Sequence, residues 1–211
     1  YSGNSMGGVV EIETAIPQRS EFHFDSSFFS QNFNDYGFDD SVNGYKSFIS
    51  YGNKIGDTSF YLSFNRLENE AQPQTFRFGG GSSVSDPIEV TGALVENDER
   101  GRERLWFMDT GIVDAQTNNY KFKLGQDLGE WKALLNVAYE DRSSSNDSAN
   151  SYLTSSDGNT VYSGNVVQDG VQFSVPSTRF AASELERRSV STGLRLRGPV
   201  TDSIELEVNV N

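Results

Sequence analysis

The sequence contains no cysteine and a single histidine, His23, and these scarcities remove several kinds of chemistry. Without cysteine the chain has no disulfide framework, thiolate metal site or cysteine nucleophile. A zinc site would need carboxylates alone, which zinc rarely uses, and a Ser–His–Asp site would depend on His23 with a distant serine. No Gly-x-Ser-x-Gly motif is present. We therefore expect no enzymatic activity, no metal site and no cofactor.

Positive charge and long apolar runs are also scarce. Lys and Arg number 17 against 30 Asp and Glu, for a formal net charge of -13, so a nucleic-acid partner is not expected. Apolar runs such as residues 133–135 are only a few residues long, far below the roughly 20 residues of a transmembrane helix. Low hydropathy still permits a transmembrane barrel, because its strands are apolar on one face only.

What the sequence does have is strict alternation of apolar and polar residues. In residues 58–66, for example, Phe60, Leu62 and Phe64 share one face of a predicted strand and their polar neighbours share the other. The same pattern recurs, more or less cleanly, at 20–28, 45–51, 120–126, 131–141, 188–197 and 203–211. The sequence therefore predicts seven strands of about 10 residues, which suits a tilted crossing of a bilayer.

The connections between these strands alternate in length. Short turns are predicted at Gly56-Asp57, 127–130 and 198–202, and long polar loops at 32–43, 69–118 and 142–186. Tight turns at one end and extended loops at the other are typical of outer-membrane barrels. The fold class predicted is thus all-β, an antiparallel transmembrane β-barrel with long external loops.

On this hypothesis the two faces of the strands have different surroundings. We predict that the apolar positions face lipid, namely Phe22, Phe24, Phe60, Leu62, Phe64, Tyr120, Phe122, Leu124, Leu135 and Val137. We predict that charged positions face the lumen, namely Lys121, Lys123, Arg195, Glu205 and Glu207. A soluble β-sandwich alternates in the same way and stays open as an alternative, although loops approaching 50 residues are uncommon in compact domains.

The first fourteen residues, YSGNSMGGVVEIET, add a more specific signal. They resemble the segment that closes the plug domain of TonB-dependent outer-membrane receptors, just before the first barrel strand. The positions that match are Tyr1, Ser5, Gly7, Gly8, Val9, Val10, Ile12 and Thr14. The segment departs from that pattern at Ser2-Gly3 and at Glu11, and neither change alters the strand register.

The resemblance implies a domain organisation. Residues 1–14 would be the end of the plug, 15–19 a linker, and 20–211 the N-terminal part of the barrel, with roughly seven of about 22 strands. On this interpretation the chain is a fragment of a receptor, and most of the plug is missing.

The resemblance also implies a function. Such receptors lie in the outer membrane of Gram-negative bacteria and take up a scarce ligand with energy from the TonB complex, which contacts plug segments missing here. The expected partners are therefore TonB, outer-membrane lipid and a ligand, most commonly a ferric siderophore. Two alternatives stay open: a passive porin-like barrel, and a secreted β-sandwich that binds carbohydrate or protein.

Overall fold

A computed structural model describes residues 16–81, 83–146 and 149–210. Within these ranges β-strands dominate, a 3-10 turn covers Ser177–Phe180, and no α-helix occurs. The predicted all-β class with antiparallel sheets is confirmed, whereas the described strands form no closed barrel. The plug-tail prediction for 1–14 lies outside the described residues, as does residue 15 of the predicted linker.

The described residues contain fifteen strands. Seven of them form one large sheet, and the other eight are short and form two smaller sheets. In chain order they are β1 (Glu21–Asp35), β2 (Phe38–Ile55), β3 (Thr58–Ala71), β4 (Phe76–Gly79), β5 (Ile88–Thr91), β6 (Leu94–Asn97), β7 (Glu103–Asp109), β8 (Val113–Leu128), β9 (Trp131–Asn146), β10 (Asn150–Ser151), β11 (Thr154–Ser155), β12 (Gly164–Gln168), β13 (Val171–Val175), β14 (Ser183–Thr201) and β15 (Ile204–Val210).

The large sheet contains the seven strands that the alternation predicts. Their order is β1-β2-β3-β8-β9-β14-β15, so each strand pairs antiparallel with its predecessor among the seven. One irregularity interrupts the ladder, between Pro199 and Thr201 of β14, where a proline cannot donate a backbone hydrogen bond. Among the described strands the sheet is open, with β1 and β15 at its edges.

One end of the sheet has short turns. The strands reverse at Gly56-Asp57 and at Gly129-Glu130, within two of the predicted turns. The third reversal, at Asp202-Ser203, lies at the end of the predicted turn 198–202, because β14 continues to Thr201. Gly56 and Gly129 have positive φ angles of 59° and 72°, a conformation that glycine adopts without steric cost.

The opposite end differs from the prediction in its first connection. The expected loop over 32–43 is instead a continuation of β1 and β2, which are joined by the two-residue turn Tyr36-Gly37. The polar residues in this stretch concealed the strands, because here both faces of the hairpin are largely polar and the alternation of hydrophobicity fades.

The other two long connections are also more ordered than expected. They are shorter than the predicted 69–118 and 142–186, because β3 and β9 run on to Ala71 and Asn146 and the next long strands begin at Val113 and Ser183. Together the described residues 72–81, 83–112 and 149–182 form a packed unit, which we call the loop body. Its strands of two to seven residues are too short to produce a recognisable period in the sequence.

The two segments of the loop body are interleaved rather than separate. The segment after β9 adds β10 to the edge of β7, and it adds β11 and β12 to the two sides of β5. A hydrophobic core lies between them, formed by Val90, Ala93, Leu105, Phe107, Met108, Leu153, Val161, Val166, Phe173 and Val175. Neither segment could bury this apolar surface by itself.

Polar groups inside the loop body are paired across the two segments. The Gln168 side-chain amide donates to and accepts from the backbone of Ala93, at 2.9 Å each. The buried Asp109 carboxylate accepts from Asn150 Nδ2 at 2.9 Å and from the Tyr152 hydroxyl at 2.6 Å. Burial, followed by the hydrogen bond to Asp109, raises the pKa of the Tyr152 phenol well above its usual range. Such satisfied polar groups fix one arrangement of the core.

Replacing Leu153, which is 0% exposed in this core, should destabilise the loop body. We expect Leu153→Ala to lower its free energy of unfolding by about 2–5 kcal/mol, because the substitution leaves a cavity. Urea unfolding followed by Trp106 fluorescence, in a Trp131→Phe background, measures this change. The control Leu185→Ala, at a side chain 61% exposed, should change it by less than about 0.5 kcal/mol. Equal effects of the two variants would contradict the assigned core.

Candidate functional site

The register of the large sheet aligns apolar side chains from strand to strand. Residues directly opposite each other in neighbouring strands lie on the same face. We call the resulting surface the apolar belt: Phe22, Phe24, Ile49, Tyr51, Phe60, Leu62, Phe64, Tyr120, Phe122, Leu124, Ala133, Leu135, Val137, Tyr139, Val190, Leu194, Leu196, Leu206, Val208 and Val210. It crosses all seven strands without a charged residue.

None of the side chains of the apolar belt is buried, and eleven of the twenty are exposed. Phe24 is 62% exposed, Leu62 50% and Val190 68%, although all three lie in regular strands. The hydrophobic core of the described chain lies instead in the loop body. A soluble sheet normally buries its apolar face against a second layer, so this exposure is unusual for a structure surrounded by water.

The opposite surface, which we call the polar face, holds most of the polar and charged side chains of these strands, although Phe48 and Tyr61 also lie on it. It contains Lys46, Ser50, Ser59, Ser63, Lys121, Lys123, Asn136, Arg195, Arg197, Glu205 and Glu207. Three of its polar residues are nearly inaccessible, with Ser59 and Lys123 each 4% exposed and Ser50 8%. The sheet therefore shelters polar groups on one side and exposes apolar groups on the other.

The predicted site residues fall cleanly on these two surfaces. All ten positions predicted to face lipid lie on the apolar belt, and all five predicted to face a lumen lie on the polar face. The side of each strand on which a residue lies therefore follows from the alternation. The surroundings of each face, lipid or lumen, stay predictions. The lone histidine, His23, lies on the polar face, 5.6 Å from Phe48 between ring centroids.

The short segment that leads into β1 packs on the polar face. A Cβ atom added at Gly52 would lie 2.4 Å from Pro17 Cγ, and one added at Gly125 would lie 2.8 Å from Ile16 Cδ1. The Lys54 ammonium joins this segment to the sheet, donating to Gln18 Oε1 at 3.2 Å and to Asp127 Oδ2 at 2.7 Å. The chain thus enters the first strand from the polar side.

Ion pairs give the polar face a defined structure near the short-turn end. Arg197 donates to both Glu205 oxygens, at 2.6 and 2.9 Å, in a bidentate pair across β14 and β15. Arg195 lies 3.6 Å from Glu207 on the same two strands. Charges of both signs are therefore brought together on the side that the alternation predicts to face a lumen.

An aromatic boundary limits the apolar belt toward the loop body. The Tyr120 and Tyr139 rings are 5.9 Å apart between centroids, and Phe64 lies 4.9 Å from Tyr120. On the same face, two residues further along β3 and β9, charged residues begin: Arg66, which pairs with Glu68, and Asp141, which pairs with Arg188. Sequence reasoning missed this change from apolar to charged within a single face, although the spacing of Phe64 and Arg66 could have indicated it.

Comparison with known proteins gives no relative for this chain: no family model, no curated protein and no solved structure matches it. In the part of the chain that the structure describes, no helix is long and apolar enough to cross a membrane. The described ranges also contain no group of three or more His, Cys, Asp or Glu side chains that could hold a metal ion.

A substitution at Gly52 tests whether residues 16–18, which lead into β1, pack on the polar face. Gly52→Ala places a Cβ atom 2.4 Å from the Pro17 ring and 2.9 Å from the Phe60 carbonyl oxygen, so we expect residues 16–18 to leave the polar face. A spin label at Gln18 would report higher mobility in that variant. Ser63→Ala, on the same face but with its Cβ already accommodated, is the control and should leave the spectrum unchanged. An immobile label in Gly52→Ala would contradict the packing.

Proposed function

We propose that the seven-stranded sheet is part of the wall of an outer-membrane β-barrel, and that this barrel is a TonB-dependent uptake receptor. The observation that carries the proposal is the uncovered apolar belt that crosses every strand of the sheet. The belt contacts lipid, and the polar face lines a lumen. The chain supplies binding and passage for a ligand, and no covalent step is assigned to it.

The free energy of the apolar belt depends on whether water or lipid surrounds it. In water, an exposed apolar patch spanning seven strands is unfavourable, by roughly 25 cal/mol for each Å² of apolar surface. In a bilayer the same surface is matched by the hydrocarbon chains. A strand can cross that environment only when neighbouring strands satisfy its backbone hydrogen bonds, as β2, β3, β8, β9 and β14 do here.

The dimensions of the belt agree with this assignment. On β9 the belt, together with Trp131 on the same face at the start of the strand, extends as far as Tyr139, a distance of roughly 26 Å along the strand at about 3.3 Å per residue. At a strand tilt of about 40°, this corresponds to about 20 Å along the membrane normal, close to the apolar band of about 25 Å in outer-membrane barrels. Tyr120 and Tyr139 then lie near one membrane interface, where tyrosine is enriched.

The finer assignment, to a TonB-dependent receptor, depends on two further observations. The sequence at 1–14 resembles the end of a plug, and the described residues that follow it, 16–18, lie on the polar face. A plug held within a lumen requires the chain to enter the first strand from that side. The ferric siderophore expected as ligand follows from the resemblance alone.

The alternatives explain fewer of these features. A secreted β-sandwich would cover the belt with a second sheet, and within the described residues the other two sheets belong to the loop body. A passive porin-like barrel shares the belt, the lumen and the short turns, and differs only in having no plug.

Charge placed on the two faces of one strand tests the membrane assignment. Leu62 and Ser63 are neighbours on β3, on the apolar belt and the polar face respectively. We expect Leu62→Arg in the complete protein to make the free energy of folding into phospholipid vesicles less favourable by about 2–4 kcal/mol, because the charge enters hydrocarbon. Ser63→Arg is the matched control and should cost much less. Since Leu62 is already 50% exposed, a sheet surrounded by water would tolerate Leu62→Arg, and that result would contradict the proposal.

Ion conductance separates a plugged receptor from a passive channel without knowledge of the ligand. We expect the complete protein, reconstituted in a planar bilayer with KCl on both sides, to show almost no steady conductance, because the plug fills the lumen. Removal of the plug should open a large channel. A large, steady conductance of the intact protein would favour the porin-like alternative, while the lipid-facing role of the belt would stand.

A further inference from the structure

A cavity of about 600 Å³ lies between the tip of the β1–β2 hairpin and the β6–β7 hairpin of the loop body. One part of its lining, the aromatic wall, consists of Tyr36, Phe76, Phe78 and Trp106. Another part, the polar rim, consists of Gln74, Asn97, Asp98, Glu99, Arg100 and Arg102. The volume is within the range of about 300–1,000 Å³ that small-molecule sites occupy.

The rings of the aromatic wall form a continuous series. Tyr36 lies 5.2 Å from Phe76 and 4.9 Å from Trp106 between centroids, and Trp106 lies 5.0 Å from Phe78 in an edge-to-face arrangement. The residues come from three parts of the chain: the hairpin tip, β4 and β7. No local sequence pattern predicts that these residues lie close together.

These rings do not belong to the hydrophobic core of the loop body. On β7 the neighbours Leu105 and Phe107 are buried in that core, whereas Trp106 points to the other face of the strand. Phe78, which pairs with Trp106 across the ladder, is 43% exposed. The Arg104 guanidinium lies 5.0 Å from the centroid of the Phe78 ring, a cation–π contact that holds the ring in place. The loop body thus has an ordered aromatic surface that its own packing does not require.

Tyr36 occupies an unfavourable backbone conformation at this surface. Tyr36 and Gly37 both have positive φ angles, 49° and 86°, as in the two-residue hairpin turns that favour Asn-Gly. Glycine suits this conformation, whereas a bulky residue there is strained. Strained residues concentrate where a side chain serves binding or catalysis. Here the strained turn places the phenol ring of Tyr36 in the wall of the cavity.

The polar rim is electrically balanced and well ordered. It contains two carboxylates, Asp98 and Glu99, and two guanidinium groups, Arg100 and Arg102. Asp98 accepts from Arg102 Nε at 2.8 Å and Arg104 Nε at 3.1 Å, and also from the backbone N–H groups of Arg100 and Arg102, at 2.9 Å each. The Arg102 side chain, followed by these other donors, holds the pKa of the Asp98 carboxyl well below its usual range. Asp98 is therefore an ionised acceptor that holds these donors in place, and it stays ionised in more acidic solution than an ordinary aspartate does.

The combination of surfaces selects a class of ligand. Among the side chains that line the cavity, two carboxylates offset two guanidinium groups, and the adjoining Arg104 donates to Asp98, so the lining does not favour a strongly anionic or a strongly cationic ligand. An aromatic face carries partial negative charge and attracts C–H groups that carry partial positive charge. The flat side of a sugar ring presents such C–H groups, while its edge carries hydroxyls that can bond to the amides of Gln74 and Asn97.

We propose that this cavity binds a neutral oligosaccharide, with a sugar ring stacked on the aromatic wall and its hydroxyls bonded to the polar rim. The inference builds on the proposed function, since it names the ligand class of a receptor whose loop body lies outside the membrane. It replaces the ferric siderophore expected from the resemblance for this particular cavity.

Calorimetric titration of the complete protein in detergent tests the proposal with defined probes: maltohexaose, cellohexaose and xylohexaose, with ferric enterobactin as the anionic comparison. At least one hexasaccharide should bind saturably. Phe78→Ala should weaken its Kd at least tenfold, because the ring is lost from the wall. Tyr162→Ala is the matched control, since Tyr162 is a 48% exposed aromatic residue of the loop body outside the cavity, and it should change the Kd by less than twofold.

A second variant separates loss of binding from loss of folding. Tyr36→Asn places the favoured residue in the turn, so we expect β1 and β2 to stay paired while the phenol ring disappears. Hydrogen exchange of residues 32–41 should be no faster in this variant, whereas the Kd for the hexasaccharide should again rise at least tenfold. Unchanged affinity in Tyr36→Asn would overturn the role of the aromatic wall.

Other results would also overturn the proposal. Absence of binding by all three hexasaccharides contradicts it, as does binding that Phe78→Ala leaves unaltered. Binding of ferric enterobactin that is lost in Phe78→Ala would assign the cavity to an anionic ligand instead. None of these outcomes would contradict the membrane assignment. The comparison of Leu62→Arg with Ser63→Arg tests whether the apolar belt contacts lipid, and it does not involve a ligand.

Discussion

The backbone hydrogen-bond ladder of the seven-stranded sheet is the constraint on which the rest of the structure depends. The ladder fixes the register, and the register places residues with a period of two on the same face of every strand. A shift of one residue between β3 and β8 would move Leu62 opposite a lysine and divide the apolar belt. Because the pairing keeps the apolar sides of neighbouring strands aligned from β1 to β15, apart from the irregularity at Pro199–Thr201, one surface becomes apolar across the sheet while polar residues gather on the other.

This division of surfaces explains the unusual distribution of burial. Lys123 is nearly inaccessible while Phe24 is exposed, the reverse of the arrangement in a protein whose sheet packs in water. The hydrophobic core lies in the loop body, where the segments between β3 and β8 and between β9 and β14 bury their apolar residues against each other. The large sheet thus depends on its surroundings for its apolar face, and the loop body depends on its own packing. We propose that the first property anchors a receptor in lipid and that the second presents a ligand site outside it.

The sequence predicts the large sheet well because the signal for it is local. Alternation such as that of residues 58–66 identifies both the strand and the side on which Leu62 lies, and short glycine turns fix the order of neighbours. The loop body could not be predicted, because its strands are short and its core joins residues far apart, such as Leu105 and Leu153. The aromatic wall could not be predicted either, because Tyr36 and Trp106 belong to separate segments that meet only in the folded structure.

Site-directed spin labelling along β3 measures directly whether lipid or water surrounds the apolar belt. Nitroxides placed singly at positions 59–65 of the complete protein in lipid vesicles report their accessibility to oxygen, which concentrates in hydrocarbon, and to a water-soluble nickel chelate. The account predicts high oxygen accessibility at Phe60, Leu62 and Phe64, with a period of two and low accessibility to the chelate. High accessibility of these same three positions to the chelate would show that water surrounds the apolar belt, and would contradict the account.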